Sequence, residues 1–182
     1  MSLETSADTI VEFVRAHKAW AAPIVFVLAF GESMAFVSLV LPFWGILVGI
    51  GTIMGAAGGV DFWLILVAAA VGAALGDWLS FWLGYHYGDR LATMWPLNKN
   101  PDLLPKGHAF FDRWGPWAIV IGRFSGPLRA SVPIVAGAVK MAQTTFQIAN
   151  WSSAFLWAWV LLTLGDVLGK TWNALRGYFG FG

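Results

Sequence analysis

The chain has 182 residues, 58% hydrophobic and 12% charged, with a formal net charge of +1 and a mean hydropathy of +0.69. Soluble domains are nearer half apolar and a quarter charged, so this composition excludes an ordinary soluble domain, and near-neutral charge gives no reason to invoke nucleic acid. Zero cysteines exclude disulfides and thiolate chemistry.

The length suits one domain, since no linker or low-complexity tract divides it. Twelve tryptophans fit the aromatic belts of a membrane–water interface. Residues 1–19 set apolar Ile10, Val11, Phe13 and Val14 among charges and predict a short interfacial helix. Acidic Glu4, Asp8 and Glu12 precede the first long apolar run, which argues against a cleavable signal peptide. From Trp20 to Ala57 the chain is almost wholly apolar yet holds Glu32 and Pro42. At about 38 residues it is too long for one crossing, which takes about 20. Two crossings would fit, as would a re-entrant hairpin. The hairpin is preferred, because Glu32 and Pro42 fall where a plain span would be most apolar and most regular.

Asp61 to Tyr87 reads as a full span carrying Gly72, Gly76 and Asp77. Small residues four apart let another helix approach closely, so Asp77 beside them faces protein rather than lipid. Residues 88–113 form the one long polar connection. The next apolar stretch, Trp114 to Met141, contains Arg123 and Arg129, and Gln143 to Leu168 reads as a second span carrying Asn150, followed by a tail over 170–182. An arginine at membrane depth costs at least about 2.5–3.5 kcal/mol on insertion scales, so two of them must be paired or used. Gly126, Pro127, Pro133 and Gly137 surround them, and proline stops one straight helix from running through. A broken backbone lined by two cations describes an anion site.

A weak internal repeat aligns the two charged apolar stretches. Eleven positions separate Gly31 from Pro42 and also Gly122 from Pro133, so that Glu32 in one copy matches Arg123 in the other. The fold expected is all-α and integral to the membrane, with two inverted repeats, each a re-entrant broken-helix hairpin followed by a full transmembrane helix. Repeat 1 covers about 20–87 and repeat 2 about 114–169, within a domain of 20–170. Transporters built this way place their sites near the midplane, where the broken helices meet.

On Glu32, on Gly76-Asp77 with Gly84-Tyr85 and Gly88, and on Gly122-Arg123-Phe124 through Pro127, Arg129, Pro133 and Ala136-Gly137, the sequence resembles the DedA family of membrane proteins, also called the VTT or SNARE-associated domain family. The resemblance spans roughly residues 20 to 170. It implies a multi-pass protein of the bacterial inner membrane with both termini cytoplasmic. It also implies lipid transport, of undecaprenyl phosphate or a phospholipid, with proton coupling. Two positions depart from the pattern. Phe43, Trp44 and Gly45 stand where similar proteins carry a second acid, so the proton coupling that the resemblance implies lacks one of its usual groups here, and Asp89 stands where an arginine is usual, with Arg90 one later.

The residues support that function independently. A guanidinium matches phosphate oxygens two at a time and stays charged, so Arg123 and Arg129 are read as a clamp for an anionic lipid headgroup. Glu32 is read as the acid that neutralises an arginine when the site is empty, and Asp77 as either a site member or a helix-bonding group. The same residues also fit a structural ion-pair network or a small-anion or proton-coupled ion carrier. A lipid phosphatase lacks support, since no histidine follows His108 and no serine–histidine pairing is available, so no enzyme activity is expected. No ligand spacing suggests a metal, and no cofactor is expected. Basic residues number four on the terminal face and five on the other, which leaves orientation open. The glycine-lined spans fit packing within one chain or a homodimer.

Overall fold

The computed structural model describes residues 18–34, 48, 49, 52, 61–91, 103–125, 129 and 131–179, and every regular element among them is helical. The helices are α1 (Lys18–Ser33), α2 (Phe62–Leu91), α3 (Leu103–Trp114), α4 (Trp117–Phe124), α5 (Ser131–Ala138) and α6 (Gln143–Phe179). Most of the expected interfacial helix lies outside the described residues, as do Pro42, Gly126 and Pro127.

Two helices are long and apolar enough to cross a membrane, over Phe62–Gly88 and Gln143–Thr171. The first is capped by Asp61, whose Oδ1 accepts hydrogen bonds from the backbone N–H groups of Trp63 at 3.0 Å and Leu64 at 3.5 Å, the usual way to satisfy free donors at a helix start. The second overruns its expected end. Residues beyond Leu168 remain helical to Phe179, so most of the expected tail is helix, and Asp166 stands inside it with Lys170 one turn on at 2.6 Å.

The expected polar connection also contains structure. α3 occupies its second half and buries Phe111 while Asp112 and Arg113 stay exposed. Gly115 then turns the chain with φ +52, its N–H closing on Phe111 O at 2.7 Å, and Pro116 precedes α4. Glycine just past one helix and proline at the start of the next is the favoured order.

α4 and α5 are eight residues each, about 12 Å long, and the helix is broken between them at Ser125 and Arg129. Pro133 sits at the third position of α5, where no backbone N–H is required and the ring is tolerated. At the other end, Lys140 donates to Gly137 O at 2.9 Å and Met141 to Ala136 O at 3.1 Å. That pair closes the helix with Lys140 left-handed at φ 58, a Schellman ending with lysine where glycine is commoner. Lys140 is held there by its Nζ, which donates to Tyr85 O and lies 4.3 Å from the Tyr85 ring centre.

One stripe on α2 organises these helices. Gly72, Gly76, Ser80, Gly84 and Gly88 recur every four residues, and a four-residue step overshoots a 3.6-residue turn by about 40°. The stripe therefore winds about 120° around α2 between Gly72 and Gly84, and serves two partners. A Cβ on Gly72 would lie 2.4 Å from Phe26 O, and one on Gly76 2.5 Å from Phe30 O, so α1 lies against the first half. A Cβ on Gly84 would lie 2.0 Å from Ile134 O, and one on Gly88 3.0 Å from Ala138 Cα, so α5 lies against the second half.

These registers also fix direction. α1 and α5 both run in the same sense as α2, since residue numbers rise together in each pair. α6 runs the opposite way, with Phe146 stacked on Phe81 and Asn150 bonded to Ala74 O. The packed interior falls into two apolar clusters. One joins Val25 and Ala29 to Ile65–Ala74 and to Ala154–Leu162, and the other joins Phe81 and Phe111 to Ile119, Ala136 and Phe146. The outer faces of α2 and α6 are also apolar, with Trp63 69% and Ile148 74% exposed among many others, far more apolar surface than a soluble monomer shows.

Candidate functional site

Between the two apolar clusters lies a polar layer, at Asp77 on α2 and at Asn150 and Ser153 on α6. Glu32 and Ser33 enter it from the last turn of α1, Arg123 from the last turn of α4, and Arg129 from the break before α5. All seven side chains are buried. Isolated charges cannot be held this way, because burying one without a partner costs far more than a helix packing gains.

The layer solves this with two crossed ion pairs. Arg123 donates through one terminal nitrogen to Asp77 Oδ2, and through Nε to Ser153 Oγ at 2.9 Å. The same terminal nitrogen reaches Asn150 Oδ1 at 2.6 Å and its backbone oxygen at 3.3 Å. Arg129 donates to Glu32 Oε1 at 2.6 Å and to Ser33 Oγ at 2.9 Å. Its guanidinium carbon lies 4.0 Å from the ring centre of Trp157. Asp77 is also within electrostatic reach of Arg129, and Glu32 of Arg123. Two cations and two anions thus form one net-neutral group tying four chain segments together.

Each member keeps unused bonding capacity. Glu32 Oε2, Asp77 Oδ1, Arg123 Nη1 and Arg129 Nε are buried without a hydrogen-bond partner among the described residues. The layer therefore holds two unused acceptors and two unused donors, the complement needed to receive a group that is itself both, such as a protonated phosphate or phosphate with water.

Glu32, Asp77, Arg123 and Arg129, the four site residues expected from the sequence, all come together. Glu32 opposes Arg129 rather than its repeat counterpart Arg123. Pro133 and Gly137 are buried within α5, and Gly137 lines the seam with α2, a Cβ there being set to fall 2.1 Å from Phe81 O. Asn150, on the second span, joins the helices through Nδ2, which donates to Ala74 O at 2.9 Å, and also serves Arg123. Ser33, Ser153 and Trp157 are the members that sequence reasoning does not find. The signal for Ser153 and Trp157 is the α6 spacing Asn150, Ser153, Trp157, three and then four apart, which puts them on one helix face; Ser33 has no such signal. Asn150→Leu is expected to cost about 1–3 kcal/mol, because it deprives Arg123 of an acceptor and Ala74 O of its donor. Thermal unfolding of the purified protein in detergent would read it, and an unchanged midpoint would show the bonds to be dispensable. Among the described residues no cluster of metal-binding side chains occurs.

Comparison with known proteins places this geometry in a wider setting. Residues 24–167, which include all seven polar-layer residues and Trp157, match the VTT domain. The chain is 34% identical over 145 residues to the inner membrane protein YabI of Escherichia coli K12, covering 80% of this chain and 57% of that protein. It is 32% identical over 151 residues to the inner membrane protein YqjA of the same organism, covering 81% of this chain and 67% of that protein. A membrane protein of Buchnera aphidicola, BU139, is 31% identical over 160 residues, covering 88% of this chain and 62% of that protein. The chain thus spans between 57% and 67% of the length of these relatives. No solved structure matches.

Proposed function

Because the chain belongs to the VTT-domain family of membrane proteins, also called DedA, we propose that it moves a phosphate-bearing lipid, undecaprenyl phosphate or a phospholipid, across the bacterial inner membrane. The observation that carries this reading is the buried quartet. One arginine ends α4 and the other lies just before α5, each opposed by an acid, at a point near the middle of the 27-residue span of α2.

The helix directions support a route to that point. α1 runs alongside α2 in the same sense, as one limb of a re-entrant hairpin would. α4 runs toward the quartet from the level of Phe81, and α5 leads away from it beside α2. Two re-entrant hairpins entering from opposite faces, each followed by a full span, account for all of this. Such an arrangement carries an anion past the most costly depth on fixed cations while the tails stay in lipid. Arg123 and Arg129 hold the phosphate by the paired N–H geometry that suits it, and Glu32 and Asp77 hold the arginines when no headgroup is bound. Protonation of Glu32 would release Arg129 and is the step at which protons enter.

The test is translocation of labelled phosphatidic acid and of a polyprenyl phosphate in liposomes containing the purified full chain. Wild type is expected to move at least one of them. Folded Arg129→Ala is expected to be slower by about tenfold or more, since a charge-assisted phosphate contact contributes about 1.5–3 kcal/mol. An undiminished rate in that variant would overturn the clamp. Transport of inorganic phosphate with no lipid movement would assign the same cluster to a small-anion carrier.

A further inference from the structure

The two arginines are held in different ways, and the difference points to how the site works. Arg123 is bonded to three side chains on the two long helices, Asp77, Asn150 and Ser153, with its own side chain 1% exposed. It cannot move without disturbing α2 and α6 together. Among the described residues, Arg129 bonds to Glu32 and Ser33, neighbours at the end of the sixteen-residue α1. Beyond the charge of Asp77, the long-helix group it meets among the described residues is buried Trp157, over whose ring its guanidinium carbon sits.

A ring face and a hydrogen-bonded carboxylate hold a cation in different ways. The carboxylate binds in the guanidinium plane and competes with any other in-plane acceptor, whereas the ring attracts the cation through its face and asks nothing of its N–H groups. A guanidinium stacked on tryptophan can therefore trade one in-plane oxyanion for another without leaving its place. Arg129 Nε, buried and without a partner among the described residues, lies in that same plane and is the donor left over for the incoming group.

Resting on the phosphate-site reading above, we propose that Trp157 is the positioning residue of the site. It is the platform on which Arg129 exchanges Glu32 for a phosphate oxygen, while Arg123 stays fixed and offers its own spare N–H from the other side. The ligand class is a phosphate monoester or free phosphate.

The experiment is a titration of the purified full chain in detergent with dioleoyl phosphatidic acid and, separately, with inorganic phosphate. Wild type is compared with Trp157→Leu, Trp157→Phe and Trp159→Leu, the last being a half-exposed tryptophan on the same helix. Trp157→Leu is expected to raise the half-saturating concentration about tenfold without changing the number of sites, and Trp157→Phe to recover part of that loss, because a smaller ring holds a cation less strongly. Trp159→Leu is expected to match wild type. Half-saturation within about twofold of wild type in folded Trp157→Leu, or no advantage of Phe over Leu, would overturn the proposal. Should Trp157→Leu fail to fold, Trp157→Phe decides alone: weaker binding supports the platform, and unchanged binding overturns it. Binding of phosphatidic acid alone identifies a lipid ligand and equal binding of inorganic phosphate a free anion, the Trp157 effect being required in either case. Wild type that binds neither would remove the phosphate-site reading itself, an outcome distinct from normal binding in the Trp157 variants.

Discussion

Asp77→Ala is expected to destabilise the protein by about 3–5 kcal/mol, the cost of removing one partner of a buried ion pair and leaving the other uncompensated. Arg123 is buried, its side chain being 1% exposed, and the apolar clusters on both sides of the layer offer no replacement acceptor. Asn150 and Ser153 would remain bonded to it, but neither carries charge. Asp77→Asn, which keeps an oxygen toward Arg123, is expected to lose less. Replacing both partners, Asp77→Leu with Arg123→Met, is expected to recover much of the loss, since a buried pair exchanged for apolar residues is often near neutral. Recovery stops short of complete because Asn150 Oδ1 and Ser153 Oγ then lose their donor. Thermal unfolding in detergent compares the three, and an Asp77→Ala midpoint equal to that of wild type would show that the pair does not hold the helices.

Gly137→Val is the second change expected to act strongly. A Cβ at this position would lie 2.1 Å from Phe81 O, 2.6 Å from Tyr85 N and 3.0 Å from Gly84 C. All three are backbone atoms, so no side chain can turn away and α5 must separate from α2. Overpacking of this kind costs about 1–3 kcal/mol and sometimes more. The displacement also reaches the site, because α5 begins two residues after Arg129 and carries the break with it. Loss of stability together with weaker phosphate binding is therefore expected. Gly49→Ala, where an added Cβ meets nothing within 4 Å, should leave both unchanged. A Gly137→Val protein as stable as wild type would contradict the close seam.

The charged residues are the legible part of the site, for a thermodynamic reason. A carboxylate or guanidinium inside an apolar run is expensive enough that the chain can keep it only with a partner, which is why Glu32, Asp77, Arg123 and Arg129 can be gathered from the sequence alone. Which acid faces which arginine is not legible there. The repeat aligns Glu32 with Arg123, whereas the pairing depends on how far each helix end reaches into the layer. Ser33, Ser153 and Trp157 do not stand out, because a serine or tryptophan in such a chain has many ordinary places to be. The stripe on α2 is half legible: Gly72 and Gly76 announce a close helix, but the drift that hands Gly84 and Gly88 to a second partner emerges only when the period of four is set against 3.6. The helical continuation past Leu168 is masked by Lys170 and Arg176, which look like the end of a span, although charged residues are at ease on a helix that has left the apolar region.

The most direct measurement is lipid translocation by the double variant Glu32→Met with Arg129→Met, in liposomes and beside wild type, after thermal unfolding has shown it to be folded. Apolar replacement of a pair that serves only to join helices is tolerated, whereas removal of the exchangeable cation from a phosphate site is not. A folded double variant that no longer moves phosphatidic acid or polyprenyl phosphate is the expected result. Wild-type transport by the same variant would reduce the Glu32–Arg129 pair to a structural tie and contradict its role in carrying the headgroup.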